Sequence, residues 1–185
     1  MRWPLVLALA AAVTASACGG SDTSPSGSGT LRVMLKDSPF TDAKALLVTF
    51  SEVDVHKSDT SDGSWTKVKG AERTCDLKRL ETSTAALGAD TLTSGHYTQI
   101  RFVVTKAVVY FDNGTQGDAC AASEPAGAKA DATIPSGEVK LNREFDVPSG
   151  GATTVTIDFD GDKSVHQTGS GQYMMSPVIS IVSVQ

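Results

Sequence analysis

From Thr30 onward the chain alternates between apolar and polar side chains. Leu31, Val33 and Leu35 fall on one side and Arg32, Met34 and Lys36 on the other, a period of two that predicts a strand with one face in a core. Asp37-Ser38-Pro39 ends it. A second strand is predicted over Ala45 to Lys57, where Val53 and Val55 alternate with Glu52, Asp54 and His56; the run DTSDGS that follows is a turn. Trp65 to Val68 reads as a short strand and Cys75 to Leu80 as a single helical turn. His96 to Phe111 is the densest strand signal, rich in Thr, Val, Ile, Tyr and Phe, and long enough to bend or bulge midway.

Three further strands follow: Val139 to Val147, Thr153 to Asp160 and Tyr173 to Val184. In the second of these Val155, Ile157 and Phe159 face inward while Thr156, Asp158 and Asp160 face out. Pro177 makes the start of the last one an edge or a bend. Residues 112 to 137, rich in Gly, Ala, Asp and Ser, read as a variable loop. Short strands separated by Gly, Asp and Ser turns, with no amphipathic helix, predict an all-β fold, a single antiparallel β-sandwich. No segment recurs at a fixed period, which excludes a solenoid or propeller.

The first residues follow different rules. Arg2 supplies a positive end, Leu5 to Val13 an apolar run, and Ala15-Ser16-Ala17-Cys18 a small-residue cleavage region ending in a cysteine. That layout predicts a lipoprotein signal over residues 1–17, with Cys18 as the lipidated N-terminus of the mature protein. The apolar run is well short of the roughly 20 residues that span a bilayer, so attachment to the membrane is through lipid. Residues 18–29, including GGSDTSPSGSG, carry no large apolar side chain and form a flexible linker. The sandwich domain occupies residues 30–185. Gly19, rather than an aspartate, follows the cysteine, so a host with two membranes is expected to sort the protein to the outer one.

This location sets the redox state. Of the three cysteines, lipidation removes Cys18, and in an oxidising compartment Cys75 and Cys120 are expected to pair. The rival reading is a metal site, but two cysteines with no CxxC spacing lack a zinc ligand set.

Charge excludes one class of partner. The chain carries 16 basic against 21 acidic residues, a net charge of −5, and its Lys and Arg are scattered rather than clustered. Nucleic acid is therefore not an expected ligand.

Candidate chemistry is sparse. Asp158, Asp160 and Asp162 imitate the first, third and fifth positions of a calcium loop, but Lys163 and Gly169 stand where glycine and a bidentate acid belong, so no cofactor is expected. Arg101 lies among apolar strand neighbours and needs a carboxylate; Asp37 and Asp158 are the candidates for a structural ion pair. His56, His96 and His166 fit no ligand spacing, and no G-x-S-x-G elbow is present, so no catalytic residue is assigned and an enzyme is not expected. The polar run Lys163 to Gln172 and the loop 112 to 137 are candidate contact segments.

The segment Leu92-Thr93-Ser94-Gly95-His96-Tyr97 has the form L-x-x-G-x-Y and resembles prealbumin-like, carboxypeptidase-regulatory-like and immunoglobulin-like sandwiches. With GTLRVMLKDSP at 29–39, Trp65, YTQIRF at 97–102 and DFDGDKSVHQTGSGQYMMSPVI at 158–179, the chain resembles the domain of unknown function 4382 family over residues 29 to 184. The resemblance implies a secreted or lipoprotein β domain and carries no catalytic residues. Two functions are then in play: a non-catalytic binding or adhesion module for a polysaccharide or protein, and a structural or accessory subunit of an envelope assembly. A hydrolase is the third. A solvent-facing row among Trp65, Tyr97, Tyr110 and Tyr173 favours carbohydrate, and an exposed apolar patch favours a protein partner.

Overall fold

A computed structural model describes residues 27–38, 43–59 and 64–185. The signal segment, Cys18, most of the linker and Pro39 lie outside the described residues, as does most of the turn after Lys57. The described strands are β1 (Ser28–Ser38), β2 (Ala45–Lys57), β3 (Trp65–Lys67), β4 (Arg73–Asp76), β5 (Ala85–Thr93), β6 (Gly95–Tyr110), β7 (Lys129–Thr133), β8 (Glu138–Val147), β9 (Ala152–Asp160), β10 (Val165–Gln167), β11 (Tyr173–Met175) and β12 (Ile179–Val184). A 3-10 turn, Leu77–Leu80, and a four-residue helix α1, Gly161–Ser164, are the described helical pieces. The fold is all-β.

Two sheets share one core. The smaller has the order β12-β9-β1-β5, and the larger follows β10-β11-β7-β6-β2-β3, with β4 added to β2 and β8 to β6. Leu31, Val33 and Leu35 of β1 and Val155, Ile157 and Phe159 of β9 are all fully buried, as their alternation predicts. They meet Val48, Phe50, Val53 and Val55 of β2 from the other sheet, where Phe50 packs edge-on against Phe159 at 6.0 Å between ring centres. The expectation of a purely antiparallel sandwich is corrected: β1 runs parallel to β9, and β11 parallel to β7. Parallel neighbours need a long crossover, and here the chain between β1 and β9 builds most of the larger sheet on the way.

The turn from β5 into β6 explains the L-x-x-G-x-Y segment. Gly95 has φ +145°, a region that side chains disfavour, and Leu92 is buried. Tyr97 is buried too, stacked on Phe145 at 5.4 Å, and its hydroxyl donates to the Thr93 carbonyl at 2.7 Å. One aromatic thus fills the core end and closes the corner.

β6 is 16 residues long and changes neighbour along its length. Its first half pairs with β8 and its last three residues with β7. β2 changes in parallel fashion, pairing with β3 through Asp54–His56 and with β4 through Leu47–Phe50.

The expected loop over 112 to 137 is shorter than its composition predicts, because β7 takes Lys129–Thr133 into the sheet. Within residues 111–128, Phe111, Ala119 and Cys120 join the main core, while Thr115 and Glu124 reach the outer face of the larger sheet, where Ala45, Leu47, Val108 and Tyr110 form a second buried cluster. Tyr110 donates to Glu124 at 2.9 Å, and the Lys129 ammonium lies 5.6 Å from the Tyr110 ring centre. Asp76 ties the arrangement together: its carboxylate is buried and accepts from Leu46 N, Lys78 N and the Thr115 hydroxyl. The Cys75–Cys120 disulfide joins β4 to the same loop across 45 residues.

Closing that loop restricts the unfolded chain, an effect of about 3 to 4 kcal/mol for this length. The double variant Cys75→Ala/Cys120→Ala is therefore expected to lose about 3 to 4 kcal/mol in urea unfolding. A loss below about 1 kcal/mol would mean that the Asp76 contacts, not the covalent link, hold the loop.

Candidate functional site

At the β4–β7 end of the larger sheet's outer face Thr115 and Glu124 reach over from the loop after β6; the β3–β8 half has no such loop contact among the described residues and is the bare half. Strand register lays the bare half out in rows. Trp65, His56, Gln99 and Asn142 are cross-strand partners in one row, and Lys67, Asp54, Arg101 and Lys140 in the next. Paired residues share a face, so these side chains project together.

The Arg101 guanidinium is the centre of this surface. Its Nε and Nη2 donate to Asp54 Oδ2 at 3.0 and 2.7 Å, and Glu138 lies 3.8 Å away. The guanidinium sits 4.7 Å from the centre of the Trp65 ring, with the Lys140 ammonium at 5.6 Å and the His56 ring edge-on at 5.5 Å. Asp54 is only 3 % exposed although it projects from an outer face, where the Arg101 guanidinium is bonded to it. A carboxylate without water in this position needs a charged partner, and the bidentate cation supplies it. The expected partners of Arg101, Asp37 and Asp158, are corrected to Asp54 and Glu138. The reason is register: Asp54 stands directly across from Arg101 in the β2–β6 pairing. Alternation placed Asp54 on an outward face but gave no register.

Beside this network an open concavity of about 620 Å³ is lined by Thr98, Gln99, Asn142, Arg143 and Glu144. Gln99 donates to Asn142 at 2.9 Å, so two of its amides are already engaged with each other. His96 lies 2.9 Å from Asp146 through Nδ1, but both are exposed and no described hydroxyl or thiol is hydrogen-bonded to that ring. His56 lies 3.3 Å from the Thr98 hydroxyl, and His166 is exposed on β10.

The three calcium-loop aspartates part company. Asp158 accepts from the Ser38 hydroxyl at 2.8 Å and faces Lys36 at 3.5 Å. Asp160 caps α1, accepting from the Lys163 backbone and its ammonium, which holds its carboxyl below the usual range. Asp162 is exposed within α1. Among the described residues no three His, Cys, Asp or Glu side chains are grouped to hold a metal ion.

Asp37 lies on the opposite face of β1, inside the protein and 3 % exposed. One oxygen accepts from Gly161 N at 3.1 Å and the other has no hydrogen-bond partner among the described residues. Burial, reinforced by the negative charges of Glu81, Asp158 and Asp160, pushes its carboxyl from 3.8 up to about 8.

Of the four aromatics proposed for a surface row, Trp65 and Tyr173 are half-buried while Tyr97 and Tyr110 are buried. Tyr173 packs on Phe111 at 5.5 Å. No row forms among them. The segment Lys163 to Gln172 is largely structured, contributing to α1 and β10 and closing on itself through Thr168, whose hydroxyl and backbone meet Gln172. Among the described residues the large apolar side chains that stand exposed are Val178, just before β12, and Val182 within it.

The family model described as domain of unknown function (DUF4382) matches residues 28–177, and the chain belongs to that family. No curated protein matches it. A solved structure, a leucine-rich repeat protein from Bacteroides thetaiotaomicron VPI-5482, is 14 % identical over 70 % of this chain with a TM-score of 0.34, and the match spans 13 % of that protein.

The position of Asp37 has a consequence for pH. Its folded value, about 8, stands above the 3.8 of the exposed group, so the folded state holds the proton more tightly. The stability this contributes is complete below the ordinary carboxylate range and is lost as pH rises through about 8. Asp37→Asn keeps an acceptor for Gly161 and removes the titration. Melting curves across that window are expected to converge at low pH and to favour the variant increasingly as pH rises. Parallel profiles would show that Asp37 stays ionised in the folded protein.

Proposed function

We propose that this chain is a lipid-anchored envelope lipoprotein that acts as a non-catalytic binding module, and that its partner is a protein. The observation that carries the choice of partner is the surface itself. Trp65, the aromatic placed on the bare sheet face, is already engaged by Arg101, Lys140 and His56, which leaves no aromatic row for sugar rings to stack on. The exposed large apolar residues, Val178 and Val182, lie instead at a sheet edge, a feature of protein contacts. The histidines found beside hydroxyls or acids assemble no nucleophile with its base, which supports a non-catalytic role. A structural or accessory role in an envelope assembly is the same reading at a larger scale, since it too requires docking to a protein.

The anchor is part of the proposal. Cys18 carries lipid, and the linker to residue 29 lets the sandwich stand off the membrane by a coil reach of roughly 5 to 6 Å times the square root of its length. Outer-membrane sorting follows in a host that has that membrane. Mass spectrometry of the mature N-terminus is expected to find an acylated Cys18; an unmodified cysteine, or a start elsewhere, refutes the anchor.

The partner class is tested by offering the purified domain a glycan array and, separately, envelope extract for affinity capture. The expected outcome is a retained protein and an array without signal. Binding to glycans that disappears in Trp65→Ala would replace the protein by a polysaccharide, and turnover of an envelope polymer by the purified domain would replace binding by hydrolysis.

A further inference from the structure

The two long sides of the sandwich are finished differently. On the β5 side the seam is closed by the segment joining β3 to β4. Arg73 donates to the carbonyls of Gly70 and Ala86, the Lys69 backbone donates to Asp90, and a side chain at Gly88 would collide with Ala71 at 3.0 to 3.2 Å. The other side has no such cover among the described residues. β8 pairs only with β6, and β12 only with β9, so two free strand edges face one seam.

Between those edges runs a groove of about 330 Å³. The half-buried Leu141 and Ile181, with the buried Ile179, give it an apolar side, Lys140 and Arg143 add two cations, and no carboxylate lines it. Arg143 makes no hydrogen bond or ion pair with any described residue, in contrast to Lys140, which lies 3.4 Å from Glu138. Val178 precedes β12 and Val182 lies within it, both exposed. On a chain of net charge −5, a groove with two cations and no acid is a local reversal of sign.

Resting on the reading that the partner is a protein, we infer that this seam takes an extended segment of that partner by strand addition, and that the segment alternates apolar with acidic residues. An added strand gives backbone hydrogen bonds to a free edge, and alternate side chains then point in and out. The inward set meets Leu141, Ile179 and Ile181; the outward acidic set meets Arg143 and Lys140. The lining contains no aromatic ring, which disfavours a saccharide. The chain's own linker is a poor occupant, since GGSDTSPSGSG has no large apolar side chain to lay on the apolar side. A second copy entering through β12, whose sequence ISIVSV bears no charge, leaves Arg143 unanswered.

The test uses fluorescence anisotropy with a short labelled peptide alternating Val and Glu, compared with one alternating Val and Lys. The wild-type domain is expected to bind the acidic peptide at least tenfold more tightly, and Lys140→Glu/Arg143→Glu to reverse the preference. Leu141→Ser with Ile181→Ser should abolish binding of both, while circular dichroism and melting of every variant report whether the fold survives. Equal affinity for the two peptides, indifference to the charge reversal in a folded variant, or no binding at all overturns the inference. Self-association by sedimentation without peptide binding also overturns it and assigns the seam to a second copy. If affinity capture retains a protein while the peptides fail, the binding role stands and the seam does not.

Discussion

The pairing of β2 with β6 is the constraint from which the rest of the molecule follows. Both strands are longer than the mode of about 5 to 6 residues in globular proteins, at 13 and 16, so neither can keep one neighbour from end to end. Register breaks near Phe50 and again near Lys57 let the pair twist without losing contact. Each half of the pair then recruits different strands, β4 and β7 at one end, β3 and β8 at the other. The outer face divides along the same line: Thr115 and Glu124 contact the β4–β7 end and the Trp65 surface occupies the β3–β8 end.

Three buried aspartates mark how charge is handled around that frame. Asp76 is satisfied by two backbone N–H groups and a hydroxyl, so it serves as a fixed acceptor that binds a loop to the sheet. Asp54 is satisfied by a cation directly across the strands. Asp37 has one donor for two oxygens, and three acids nearby, so protonation is its cheaper state. The order is physical rather than accidental. Donor supply falls from Asp76 to Asp37, and burial pushes the poorly supplied Asp37 carboxyl upward.

Much of this was legible from alternation. β1, β2, β6, β8 and β9 follow their apolar patterns closely; the turn expected over Cys75 to Leu80 begins only at Leu77, because Cys75 and Asp76 belong to β4, and the single strand expected over Tyr173 to Val184 is split around Pro177 into β11 and β12, which lie in different sheets. β5 left no such trace, because AALGADTLT is poor in β-branched residues; it is a strand because β1 offers it an edge and because Gly88 lets Ala71 approach. β7 was hidden for the same reason inside a segment of small and polar residues. The parallel pairing of β1 with β9 and the Arg101–Asp54 pair depend on which distant strands become neighbours, and a period of two carries no register between strands. The pairing of Cys75 with Cys120 was accessible by another route, counting cysteines against compartment.

The free edges pose a problem that the sequence answers unevenly. An exposed strand edge invites pairing with any similar chain, and β8 counters this with Glu138, Lys140, Arg143, Glu144 and Asp146 along its ten residues. β12 has no charge at all and relies on the irregularity between Ile181 and Ser183 to bend its edge. Charges of both signs on one edge and none on the other do not form a uniform barrier; they discriminate among incoming strands by pattern. A free edge of this kind is tolerable only if pairing between like edges is poor. The mixed charges of β8 make a second β8 an indifferent match, and the bulge of β12 does the same for a second β12.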